Sequence, residues 1–268
     1  MVRHAFIALA TAFTLAGAAP APAQHVTLRF AATAGEVPVA CEARISGIGS
    51  RAATIVPEDL RFYVSDVRLV AADGAETTLA LDDDHAWQSQ GVALLSWCAD
   101  GRADLHDSVS GTVPPGDYRG VRFSLGIPDR LNHADATIAQ APLNVTGMFW
   151  SWRDGYKFLR LEMRTFDANG ARPSTWLVHL GSTACTSDAG GATRCARANR
   201  PAIALKDFDW RKNVIVADVQ RLLASTDLAS RGSGCMMDSR EACAGVLSTL
   251  GLREDAPGTA AQSVFRVR

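Results

Sequence analysis

Apart from its first residues, the chain has no apolar run near the ~20 residues that a membrane-spanning helix needs. Net charge is almost absent, with 27 Lys and Arg against 28 Asp and Glu, and the basic residues are scattered. That leaves no electrostatic case for nucleic acid or an anionic membrane. There is no G-x-S-x-G, no H-E-x-x-H, no Gly-rich phosphate loop and no C-x-x-C-H. The standard hydrolase, zinc-protease, nucleotide and c-haem chemistries therefore lack their residues here. No C-x-x-C pair occurs, which disfavours a thiolate metal site. Asp82-Asp83-Asp84 lacks the spacing of an EF-hand loop and reads as a solvated turn. No internal repeat or low-complexity linker divides the chain.

The first 23 residues read as a signal peptide. Arg3 and His4 form a positive start, Phe6 to Gly17 a short apolar segment, and Ala21-Pro22-Ala23 an A-x-A cleavage pattern. Residues 24–268 are expected as one exported domain, periplasmic or secreted, with no further membrane segment. All six cysteines, Cys41, Cys98, Cys185, Cys195, Cys235 and Cys243, fall in that part. In an oxidising compartment an even count reads first as three disulfides, although the sequence allows 15 pairings. The preferred set is Cys185–Cys195 and Cys235–Cys243 by proximity, and Cys41–Cys98 by elimination.

Hydrophobic alternation predicts a mainly β fold, an antiparallel sandwich or barrel-like domain with a short helical C-terminal appendage. Val26 to Ala31 puts Val26, Leu28 and Phe30 on one strand face. Leu60 to Val70 is a long β-branched strand ending in an Ala72-Asp73-Gly74 hairpin, with Thr77 to Leu81 returning. Further strands are expected at Val92–Trp97, Tyr118–Leu125, Phe158–Thr165, Thr175–Leu180 and Ala202–Phe208. Turns are expected at Pro115-Gly116, Asp154-Gly155 and Asn169-Gly170. Helical spacing of Val216, Val219, Leu222 and Leu223 predicts a helix over Asn213–Ser225. Ser239 as cap, with Glu241, predicts a second over Ser239–Leu250.

Histidine and tryptophan carry what chemistry is legible. His179 ends an apolar strand beside Cys185, where it is either a satisfied core residue or a metal ligand. His133, in a polar loop, reads by default as exposed. Trp150 and Trp152 share one strand face, a spacing that most often means core packing.

Several segments, in order along the chain, change that weighting. They are Asp59-Leu-Arg-Phe-Tyr-Val-Ser-Asp-Val-Arg68, Trp87-Gln88 with Val92-Ala-Leu-Leu95, Gly120-Val-Arg-Phe-Ser-Leu-Gly-Ile-Pro128, Leu131-Asn-His133 and Pro142-Leu-Asn144. They continue with Met148-Phe-Trp-Ser-Trp-Arg-Asp-Gly-Tyr-Lys-Phe158, His179-Leu-Gly-Ser-Thr183 with Cys185, Gly234-Cys-Met236 and Gln262-Ser-Val-Phe265. Together they resemble the MbnP/MopE/CorA-type family of periplasmic copper-binding proteins, also described as metallo-mystery-pair four-Cys proteins. The four-Cys label matches Cys185, Cys195, Cys235 and Cys243.

The resemblance implies an exported β-sandwich-like protein that binds copper and is not itself an enzyme. It implies a partner, an MbnH-like diheme c-type peroxidase of the MauG kind, which oxidises a tryptophan of the copper protein to kynurenine. It implies copper held by two histidine nitrogens with the modified tryptophan or a water. Carried onto the matching blocks, the ligands are His133 and His179. The modified residue is sought first at Trp150 and Trp152, then at Trp87, with His85, His106 and His25 as reserve ligands. Cu(I) has a filled d shell and accepts two or three imidazole or soft donors, so two histidines can hold it. The alternatives from other classes are a metal-free exported β-sandwich that binds partners or carbohydrate through its tryptophans, and a redox enzyme formed by the modification.

Overall fold

The computed structural model describes residues 22–151, 153–167, 174–190, 193–228, 234–236, 240–252 and 261–268. The signal segment up to Ala21, Trp152, the Asn169-Gly170 turn and the Ser239 cap lie outside the described residues.

Two sheets face each other as a sandwich and neither closes into a barrel. The smaller runs in the order Phe265–Val267, Ile215–Asp218, Gln24–Ala34, Ser108–Val113, Ala80–Leu81. The larger runs Ala202–Lys206, Tyr118–Leu125, Ala53–Ala71, Leu159–Phe166, Ser174–Leu180, Gly234–Met236, with Val92–Cys98 also paired to the long Ala53–Ala71 strand. Pairing is mostly antiparallel. Gln24–Ala34 with Ile215–Asp218, and Ser174–Leu180 with Gly234–Met236, are parallel.

A chain of rings stitches the layers together. Phe30 of the smaller sheet meets Phe123 of the larger edge to face at 5.7 Å, and Phe123 meets Phe265 at 5.4 Å. Phe265 meets Phe62 at 5.7 Å, and Phe62 stacks on Trp97 at 5.3 Å. Edge-to-face contacts of this kind add about 0.5–1.5 kcal/mol each beyond the area they bury. The long strand is covered on both faces along its middle, so residues 59–65 are all buried, the polar Asp59, Arg61 and Ser65 among them. Leu60, Phe62 and Val64 enter the core between the sheets. Tyr63, on the opposite face, enters a second, smaller core with Leu94, Ile127, Tyr156 and Phe158. The segment 127–158 thus lies over the outer face of the larger sheet, where Asp59 and Arg61 also point.

Two expectations are corrected. Asn213–Ser225 is not one helix: Ile215–Asp218 is a strand, and only Val219–Leu222 is helical. Ile215 to Asp218 sits between two strands with all four residues buried, so its apolar run carries no readable period. Asp218 ends the strand and caps the turn, accepting the N–H groups of Gln220 and Arg221 at 3.0 and 3.2 Å. Thr77–Leu81 is likewise two pieces, Glu76–Thr78 on the larger sheet and Ala80–Leu81 on the smaller. The chain changes layer at the buried Leu79. Near the end, the helix spans Arg240–Thr249.

The disulfides are Cys41–Cys98, Cys185–Cys195 and Cys235–Cys243, and no described cysteine is free.

Candidate functional site

The histidines and tryptophans gather into two groups. The first lies on the outer face of the larger sheet. Register places Arg61 opposite Arg160, and Arg160 opposite His179, so the three side chains form a row across strands. Asp59 is fully buried and binds Arg61 through two bonds, Nε at 2.9 Å and Nη2 at 2.5 Å. Arg160 is held by three carboxylates: Nη1 lies 3.2 Å from Asp59, Nη2 3.0 Å from Asp100, and Nε 2.8 Å from Glu162. Burial pushes the Asp59 carboxyl upward against the pull of the two arginines.

Glu162 ends this relay at His179, whose Nε2 is 2.7 Å from Oε1. That hydrogen bond, aided by Arg160, holds the Glu162 carboxyl down to about 2. His179 is 7% exposed, and its other nitrogen, Nδ1, is buried with no hydrogen-bond partner among the described residues. Trp150 packs beside it, ring centroids 6.4 Å apart and tilted by 58°.

Gly181, two residues past His179, is what lets the indole in. A Cβ there would lie 2.4 Å from Trp150 Cζ3 and 2.7 Å from the Tyr156 carbonyl oxygen. Gly181→Ala is therefore expected to destabilise the fold by about 1–3 kcal/mol and to displace Trp150. Chemical denaturation followed by tryptophan fluorescence checks this. An unshifted midpoint with unchanged emission would show that the indole is not wedged there.

His133 is tied to the same end. Asn132 is buried; its Oδ1 accepts the Tyr156 N–H at 3.1 Å while its Nδ2–H donates to His133 Nε2 at 3.2 Å. Tyr156 belongs to the hairpin that carries Trp150. His133 Nε2 is also 3.2 Å from Cys195 Sγ. His133, Cys185 and Cys195 lie close enough together to resemble a ligand cluster. The two sulfurs are joined in a disulfide, however, so only the imidazole remains a donor.

The second group surrounds Trp87. The indole stacks on His106, centroids 4.7 Å apart and planes within 6°. His106 Nε2 is buried without a described partner, and burial lowers its readiness to take a proton. Asp82-Asp83-Asp84 is a largely exposed turn, as read from the sequence, and each of its carboxylates is engaged. Asp82 pairs with His25 Nε2 at 2.7 Å, and Asp83 with His85 Nδ1 at 2.9 Å. Asp84 Oδ1 accepts the N–H groups of Ala86, Trp87 and Gln88 at 2.9, 2.7 and 2.8 Å. The loop thus fixes Trp87 through the backbone.

Of the two ligands expected from the sequence, His179 lies beside Trp150, and His133 is linked to the Trp150 hairpin through Asn132 and Tyr156. The three reserve histidines fall in the second group with Trp87. Glu162, Arg160 and Asp59 were not singled out from the sequence. Alternating charges along a strand ordinarily mark a solvent face, and only the covering segment 127–158 makes them interior.

A family model described as MbnP matches residues 23–237. Among solved structures, MbnP from Methylosinus trichosporium is similar, with a TM-score of 0.80 and 28% identity over 92% of this chain and 98% of that one. No curated protein matches the chain.

Proposed function

The chain belongs to the MbnP family, and from that premise we propose that it is an exported copper-binding protein, not an enzyme, serving periplasmic copper homeostasis or acquisition. Copper is held by His179 and His133, with Trp150 as the tryptophan that a diheme c-type peroxidase converts to kynurenine. The observation that carries this reading is the buried Nδ1 of His179, without a hydrogen-bond partner among the described residues and on a ring packed beside an indole. An imidazole nitrogen shielded from water and left without a donor or acceptor is costly unless something takes its lone pair. Imidazole suits copper, and the disulfide at Cys185–Cys195 leaves no thiolate to compete. Copper would supply a Lewis-acidic or redox-active centre; the chain supplies the nitrogens and keeps one of them dry.

Oxidation of the indole balances with peroxide as oxidant. Two equivalents cleave the indole C2–C3 bond, leaving one oxygen as a carbonyl on each carbon, and are themselves reduced to two waters. Hydrolysis then releases the former C2 as formate, and kynurenine remains. The partner's haems carry the oxidation, and the modified peptide gains about 4 Da, one oxygen gained and one carbon lost. Kynurenine offers an aromatic amine and a carbonyl where indole had no usable lone pair.

A second centre is favoured by one specific observation, the stack of Trp87 on His106, whose Nε2 is buried with no partner among the described residues. There the ligands would be His106 with His25 or His85. The carbohydrate-binding alternative fares less well. Trp87 is covered by His106, Trp150 by Gly181 and Trp210 by Arg211, while Trp97 and Trp176 are buried.

Co-expression with the diheme partner followed by tandem mass spectrometry tests the reading. The mass gain is expected on the Trp150 peptide. A gain on Trp87 would move the centre to the His106 group, a gain on Trp152 would replace Trp150 as the modified residue, and no gain on any tryptophan would overturn the proposal.

A further inference from the structure

Resting on the reading of His179 as a copper ligand, we propose that Glu162 is a positioning residue that fixes His179 as the Nε2–H tautomer and so makes Nδ1 the metal-binding atom.

The argument begins with what Glu162 can do. An ionised carboxylate has only acceptor sites, so a 2.7 Å contact with His179 Nε2 requires that nitrogen to carry the proton. In the neutral ring the lone pair then belongs to Nδ1, the nitrogen that is buried with no partner among the described residues. Left to itself, an imidazole exchanges between tautomers, and whichever nitrogen is free is set by the hydrogen bond the other makes.

Glu162 is itself not free to turn away. Arg160 binds it through two bonds, Nε to Oε1 at 2.8 Å and Nη2 to Oε2 at 3.0 Å. The same guanidinium is anchored on Asp59 and Asp100. Asp59 is fully buried and doubly bonded to Arg61, and Asp100 donates its own backbone N–H to Asp59 at 3.2 Å. Five charged side chains on two strands and one loop therefore converge on one imidazole proton of a third strand. A salt-bridge network present only for stability has no reason to end on an imidazole whose other nitrogen is buried with no partner among the described residues. Burying charged pairs is at best a weak source of stability, since desolvation offsets the attraction. Carboxylate-to-histidine bonds behind a metal ligand, by contrast, fix ring orientation and raise donor strength.

The test has a readout that needs no metal. In the metal-free protein with ¹⁵N-labelled histidine, two-bond ¹⁵N–¹H correlation should show His179 Nε2 as the protonated nitrogen and Nδ1 as the bare one. Glu162→Ala should populate the opposite tautomer and weaken Cu(I) binding, read by chelator competition, by roughly 10–100-fold. Glu162→Gln keeps an acceptor oxygen but can turn its amide, so it should fall between Ala and wild type; it also serves if the Ala variant does not fold. A protonated Nδ1 in the wild-type protein overturns the proposal. So do variants that are destabilised yet keep the wild-type tautomer, or that change tautomer yet bind Cu(I) as wild type does. His179→Ala separates this inference from the one beneath it. If His179→Ala weakens Cu(I) binding and the Glu162 variants do not, only the positioning role falls. If His179→Ala binds as wild type does, the ligand assignment falls first.

Discussion

Removal of the Cys41–Cys98 bridge, as the Cys41→Ser/Cys98→Ser double variant, is expected to lower unfolding stability by about 4 kcal/mol. The two cysteines are 57 residues apart, against 10 and 8 for the other bridges. In the chain-entropy model the short loops restrict the unfolded state by roughly 3 kcal/mol each. The long bridge also does something in the folded state that the others do not. Cys98 is fully buried and lies opposite Leu60, at the end of the strand that leads directly into the Asp100 loop. That loop is held by Asp100 N–H on Asp59 and by Gly101 N–H on the Glu58 carbonyl at 2.6 Å. A freed Cys98 would let Asp100 move off Arg160 and loosen the row that ends at His179. Urea denaturation under non-reducing conditions measures the effect, and a domain with the usual 5–15 kcal/mol has little to spare. A midpoint within the scatter of the wild type would show that the unfolded state keeps these segments together without the bridge.

Cysteine chemistry was legible because proximity in sequence is a fair guide when the loops are short. The third bridge followed only because two residues were left over. The strands were legible where apolar and polar residues alternate, as in Leu159–Phe166, whose buried and half-buried positions alternate strictly. They were not legible where both faces are covered. Ile215–Asp218 is buried throughout, so its period was borrowed from Val219, Leu222 and Leu223 in the turn that follows. Two-residue strands such as Ala80–Leu81 and Gln88–Ser89 are set by what they pair with and leave no periodic trace.

For the site, the sequence could name histidines and tryptophans but not sort them. Sorting needed the sheet register that aligns Arg61, Arg160 and His179, and the loop that ties His25 and His85 to successive aspartates. Trp150 and Trp152 were expected as ordinary packing by spacing alone, and Trp150 does pack, against Gly181. Packing and function are not exclusive here. If His179 holds copper as proposed, a ring packed 6.4 Å from that imidazole is held where a new donor on it would be useful.

The sharpest consequence concerns copper itself. His179→Ala and His133→Ala are each expected to weaken Cu(I) binding by more than the roughly 10–100-fold typical of changes behind a ligand, because each removes one of very few nitrogen donors. Stability should move much less. Without His179, Glu162 keeps both bonds to Arg160, and without His133, Asn132 keeps its bond to the Tyr156 N–H. Competition against a Cu(I)-specific chelator gives the affinity, and thermal unfolding of the metal-free variants shows whether the fold survives. His106→Ala, His85→Ala and His25→Ala form the counter-series. If they retain wild-type affinity while the first two lose it, the centre lies beside Trp150. If instead His106→Ala loses affinity and the first two do not, the lone pair on His106 Nε2 is the one that matters, and the acidic loop that pins Trp87 becomes the wall of the site. Loss in only one of His133 and His179 would keep that ligand and send the search for the second donor to residues around it. The two centres make opposite demands on the same five variants, so the measurement decides between them without any knowledge of the partner.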